Sequence, residues 1–220
     1  MLQIGLRIAL ELYVRAVHPD GPVDSAAHYF AYIAPVTVVI TFALSYFYVC
    51  VKYRRSFLEA FYITPVSVRG MLRYVSLGVG VCGIAIFALA IAAQFAPKSL
   101  GGTSKVSRAL QNPAGAYVWM LTALIAPLVE ELFYRGFAFD VLRRRFNTRS
   151  AVLLVTAWFA AAHISQVAGD WPSLVGITVL SAVVTTLRAR TQSLTPAIIV
   201  HFAYNLLLVC LSWYARSRGT

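Results

Sequence analysis

The sequence predicts an all-α fold: a polytopic membrane helix bundle of about six transmembrane helices plus an N-terminal interfacial helix. Three observations predict it. Of 220 residues, 60% are apolar and only 12% are charged, about half the charged share of an ordinary soluble domain. The mean hydropathy is +0.72. The apolar residues also fall in runs that approach or exceed the roughly 20 residues a helix needs to cross a bilayer. These numbers exclude a disordered chain, and 3 cysteines exclude a disulfide scaffold. Residues 1–220 read as a single integral-membrane domain, with 115–210 as its motif-bearing core.

The elements follow in order. Arg7, Glu11 and Arg15 recur every four positions in the first 17 residues. They put one charged stripe on an otherwise apolar helix, which suits a helix lying in the interface. Residues 30–51 and 74–97 carry no charge and read as the first two spans. Residues 109–129 form the third, running on through Glu130, Glu131 and Arg135 to 139. Residues 151–169 contain only His163, 171–187 form a short fifth span, and 191–215 carry only His201. Gly78, Gly80 and Gly83 read as sites of close helix packing.

The net charge of +11 does not make this a nucleic-acid binder, because the basic residues cluster between apolar runs. Lys52, Arg54, Arg55, Arg69, Arg73, Arg143, Arg144, Arg145, Arg149, Arg188 and Arg190 fall on one side, 11 against 7 on the other. An excess of Lys and Arg marks cytoplasmic loops. The chain reads as a multi-pass protein of a prokaryotic inner membrane, with the lipid bilayer as its surroundings and both termini outside.

Glu130 and Glu131 are the acidic residues that lie deep in an apolar run. An ionised residue at the bilayer centre costs at least about 2.5–3.5 kcal/mol, so two adjacent carboxylates and Arg135 need a reason. Successive helix residues point about 100° apart, so the two glutamates serve different faces. Glu131 and Arg135 are spaced i, i+4 and can pair. Glu130 is left over, placed to exchange a proton with water or a neighbouring base. At 1.5 Å per residue, Glu130 and His163 both lie about 20 Å above the basic helix ends. His201 and Asn205, four residues apart on one helix face, lie about 16 and 22 Å above theirs. Polar groups from three helices thus converge on one level, towards the outer leaflet. Asp140, close to Arg143 and Arg144, reads as an interfacial ion pair.

Glu130, Glu131 and Arg135 (EELFYR) resemble the EExxxR motif of the CPBP family, the CAAX-protease and bacteriocin-processing membrane peptidases. Phe159 and His163 (FAAAH) resemble its FxxxH motif, and His201 and Asn205 (HFAYN) its HxxxN motif. All three occur in the family's order. The resemblance implies a glutamic-type intramembrane endopeptidase acting on a membrane-anchored or exported protein. In that family's terms Glu130 and His163 would activate water, and His201 and Asn205 would stabilise the oxyanion. Glu131 and Arg135 would hold the helix. Peptide hydrolysis needs a base for water and donors aimed at the developing oxyanion, and this set supplies both. No cofactor is expected. Two His and a Glu can also form a three-ligand zinc site, so Zn²⁺ is the alternative. However, HExxH is absent and Asn205 has no place among zinc ligands. Two further readings use the same polar cluster: a non-catalytic immunity or scaffold protein, and a proton-coupled transporter. Against transport, the chain is small and shows no inverted repeat.

Overall fold

The structure, a computed structural model, describes residues 39–40, 42–44, 46–52, 54–95, 113–164, 166–167 and 170–218. The expected interfacial helix at 1–17, most of the span at 30–51, and the third span's start at 109–112 lie outside the described residues. Among the described residues every regular element is helical. A π-helical turn, Phe47–Lys52, is followed by α1 (Phe57–Ala60), α2 (Val68–Phe95) and α3 (Pro113–Glu131). A π-helical segment, Leu132–Ala138, continues α3 into α4 (Phe139–Arg145). Then come α5 (Thr148–His163), α6 (Trp171–Thr191) and α7 (Thr195–Ser217).

Local chemistry explains several of these boundaries. Asn147 caps α5 by accepting the Ser150 N–H at 2.9 Å. Asp170 caps α6 by accepting from the Ser173 N–H and hydroxyl, and Pro172 sits in the first turn. Both caps satisfy backbone donors that a helix start leaves unpaired. The left-handed Gln192, at φ 51°, ends α6.

Among the described residues three helical stretches are long and apolar enough to cross a membrane: Val68–Ala88, Trp171–Thr191 and Thr195–Ala215. They correspond to the second, fifth and sixth expected spans. The fifth is longer than the sequence suggested, because α6 runs on through Arg188 and Arg190. Arg188 is therefore not a loop charge. It is fully buried, its Nε donating to the Arg135 carbonyl at 3.2 Å. Its guanidinium lies over the Tyr62 and Phe139 rings, 4.5 and 5.7 Å from their centroids. A π-helical segment shifts the carbonyl register, and here a side chain from another helix meets one of those carbonyls. The fourth expected span, 151–169, is also revised. Its helix ends at His163, so His163 stands at a helix end, next to the turn that leads to α6.

α2, α6 and α7 share one core of Val81, Cys82, Leu180, Val184, Ala197, Val200 and Tyr204. Gly78 lets α2 close on α7: a Cβ there would collide with the Val200 carbonyl and the Ala203 methyl. At Gly80 and Gly83, by contrast, nothing among the described residues lies within 4 Å of a Cβ position, so of these three glycines Gly78 is the one that packs closely. Gly78→Ala is expected to lower stability in detergent, since overpacking against backbone typically costs about 1–3 kcal/mol. Gly80→Ala is the control, and equal thermal midpoints for the two variants would overturn this packing account.

A second core joins the π-helical segment, α4 and α5 through Tyr134, Phe139, Ala151, Val155 and Phe159. A third, of Phe61, Leu132 and Leu194, ties the segment between α1 and α2 to the rest. The same segment is pinned to the start of α7. The Leu194 N–H donates to the Tyr62 carbonyl at 2.9 Å, and Thr64 and Thr195 exchange two hydrogen bonds. Arg143 donates to Gln192 at 2.6 Å and to Asp140 at 2.7 Å. These contacts gather the three basic connectors at one end of the bundle. Asp140 also pairs with Arg144 there. Burial pushes the Asp140 carboxyl up, but hydrogen bonds and charge from Arg144 and Arg143 outweigh it and hold the group below the usual carboxylate range.

Candidate active site

The site is assembled where α3 passes into the π-helical segment. Glu131 is the last residue of α3 and Glu130 the one before it. Glu131 is fully buried. Its Oε1 accepts from Arg135 Nη1 at 2.9 Å and from His201 Nδ1 at 2.8 Å. Arg135, also fully buried, donates from Nε to the Thr185 hydroxyl at 3.0 Å. Its Nη2 donates to the Ser181 hydroxyl at 2.7 Å and to the Ser181 carbonyl at 3.2 Å. The guanidinium lies 4.5 Å from the centroid of Phe159, a cation–π contact that strengthens when water is excluded. The expected Glu131–Arg135 pair is thus present, inside a larger network.

Glu130 faces the other way. Its Oε1 lies 3.8 Å from His163 Nε2 and its Oε2 lies 3.8 Å from His201 Nε2. The two adjacent glutamates therefore flank the His201 ring, Glu131 on Nδ1 and Glu130 on Nε2. Accessibility separates their roles. The Glu130 and His163 side chains are 22% and 14% exposed, whereas Glu131 and Arg135 are at 0%. The open pair is available to a reactant and the closed pair is not.

Hydrogen bonding assigns the imidazole tautomers. His163 Nδ1 lies 2.8 Å from the Phe159 carbonyl, which can only accept, so Nδ1 carries the hydrogen. His201 Nδ1 donates to the Glu131 carboxylate in the same way. In the neutral imidazoles each Nε2 then turns a bare lone pair towards Glu130. Three acceptors facing one another require a proton or a water hydrogen among them. This is an arrangement that can take a proton from water and hold it.

Phe159 organises the cluster from beneath. Its ring centroid is 4.5 Å from that of His163 and 5.9 Å from that of His201. Together with its carbonyl and the Arg135 contact, one residue orients three polar side chains. Asn205 is placed differently. It lies one turn along α7 from His201, and its Nδ2 donates to the Ala123 carbonyl of α3 at 2.7 Å. The structure thus brings Glu130, His163 and His201 together directly, with Asn205 attached to the same helix pair nearby.

Sequence reasoning missed Ser181 and Thr185 as partners of Arg135. The signal was present: Ser181, Thr185 and Arg188 are spaced i, i+4, i+7, one polar face on an apolar helix. Among the described residues no three His, Cys, Asp or Glu side chains are grouped so as to hold a metal ion.

No curated protein and no solved structure matches the chain. Residues 112–207 match the family model described as type II CAAX prenyl endopeptidase Rce1-like. That match covers the three motifs and every residue of the polar cluster, so this segment is similar to the type II CAAX prenyl endopeptidase family.

Proposed function

We propose that the protein is an intramembrane endopeptidase that hydrolyses a peptide bond in a membrane-anchored or exported protein by activating water. The observation that supports this reading best is the Glu130 carboxylate set 3.8 Å from the Nε2 atoms of both His163 and His201. Water entering among them donates hydrogen bonds to Glu130 and His163, and a proton passes to that pair as the oxygen attacks the scissile carbonyl carbon. The carbonyl oxygen becomes an oxyanion, which needs donors held in place beforehand. His201 serves when its Nε2 holds a further proton, taken up from bulk water before the attack, with Glu131 as counter-charge on Nδ1. The second N–H of the Asn205 amide is the other donor. The proton then moves to the leaving amide nitrogen and the C–N bond breaks.

Six spans complete the proposal, with the basic connectors in the cytoplasm and the cluster nearer the outer leaflet. That depth favours a membrane segment or exported precursor over a cytosolic prenylated tail.

The reaction runs without a metal. The test uses purified protein in liposomes and two reporters, one carrying a candidate membrane segment and one a prenylated C-terminal tetrapeptide. Cleavage of the first is expected, at a rate that survives EDTA and 1,10-phenanthroline. Inactivation by chelator, reversed by added Zn²⁺, would make this a zinc enzyme. Absence of cleavage of either reporter, in protein shown to be folded, would favour the scaffold role.

A further inference from the structure

Pro127 is fully buried within α3, three residues before Glu130. An interior proline has no N–H for the carbonyl four residues earlier, and its ring crowds that carbonyl. The carbonyl in question belongs to Ala123, and it accepts the Asn205 amide hydrogen at 2.7 Å. Asn205, on α7, stands in for the N–H that Pro127 lacks. Membrane helices tolerate interior prolines when a neighbouring helix satisfies the freed backbone group in this way.

The consequence reaches the site. α3 and α7 are tied at two levels, Ala123 to Asn205 and Glu131 to His201. As residue numbers rise on α3 they fall on α7, so the helices run antiparallel. Ala123 lies two turns before Glu130, about 10 Å along the axis, and Asn205 one turn beyond His201, about 6 Å. We propose that Pro127, Ala123 and Asn205 form a backbone clamp, in which Asn205 is a positioning residue that fixes the register of α3 against α7 and so holds Glu130 opposite His201. An amide nitrogen carries two hydrogens. The clamp uses one and directs the other, the donor assigned above to the oxyanion. The catalytic half of this inference rests on the hydrolytic reading; the clamp itself rests on the hydrogen bond.

The test is a double-mutant cycle of Pro127→Ala and Asn205→Ala, read by thermal unfolding in detergent and by kcat and KM on the cleaved reporter. Asn205→Ala leaves a carbonyl unpaired and is expected to lower Tm by about 5 °C, with kcat falling and KM little changed. Adding Pro127→Ala supplies a backbone N–H at residue 127. It is expected to restore most of the lost Tm and part of the lost kcat. Gly80→Ala, at an open helix position, should restore no kcat. If Asn205→Ala cannot be recovered, the membrane yield of the double variant against the single one reads the same cycle. A double variant no more stable than Asn205→Ala overturns the clamp. Recovered Tm with no recovery of kcat overturns the positioning role and leaves Asn205 as a direct donor alone. A wild-type protein that cleaves nothing refutes the hydrolytic reading, while the Tm cycle still decides the clamp.

Discussion

Glu130→Gln is expected to fold, reach the membrane, bind its substrate and leave it uncut. The substitution keeps the size of the side chain and removes the carboxylate that lies between the two Nε2 atoms. The loss should be at least the factor of roughly 10²–10⁴ associated with general-base catalysis. His163→Ala should lose a comparable factor, because the lone pair facing Glu130 Oε1 goes with it. Stability should change little in Glu130→Gln, since no hydrogen bond within 3.5 Å is broken among the described residues. Reporter cleavage, with protein level read by immunoblot, checks both variants. Wild-type cleavage from well-expressed Glu130→Gln would sink the protease reading and leave the scaffold role standing.

Glu131→Ala should fail in a different way. It strips the acceptor from two buried donors at once, Arg135 Nη1 and His201 Nδ1. Removing one partner of a buried ion pair typically costs about 3–5 kcal/mol, because the remaining charge is left uncompensated. In a protein of this size that corresponds to a Tm lower by roughly 10 °C, together with reduced yield. Activity should fall as well, since His201 loses the bond that assigns its tautomer. Glu131→Gln keeps the Oε1 acceptor for both donors but loses the charge that offsets Arg135, and should fall between the two. Equal thermal midpoints for Glu131→Ala and wild type would show that Arg135 is held by Ser181, Thr185 and Phe159 alone.

The contrast between these variants shows which parts of the site were legible in sequence. Adjacent residues on a helix point about 100° apart, so separate duties for Glu130 and Glu131 could be read directly. The i, i+4 pairing of Glu131 with Arg135 was equally local. The second hydrogen bond on Glu131 was not, because it joins residues 70 apart in sequence. Glu131 was read as a helix support, and it is also the residue that orients the His201 ring. Arg188 misled for a related reason. Charge next to a connector reads as solvated, and only tertiary contact reveals that Tyr62 and Phe139 enclose it. The ends of helices were legible to within a few residues where a cap exists, as at Asn147 and Asp170. The early stop of α5 at His163 was not, since 164–169 remain largely apolar.

The Phe61–Leu132–Leu194 cluster bears on how this protein can be shortened. Gly136, in the π-helical segment beside Arg135, has no side chain, and the Phe61 ring occupies the space where a Cβ would stand. Tyr62, one residue on, covers Arg188. A fragment cut to the matched region, 112–207, would keep every motif and lose both rings. It would uncover a glycine notch and a guanidinium beside the helix that carries the carboxylates. The recognisable stretch of sequence is therefore smaller than the unit that packs together, and residues 57–65 belong with it in any shortened version of the protein.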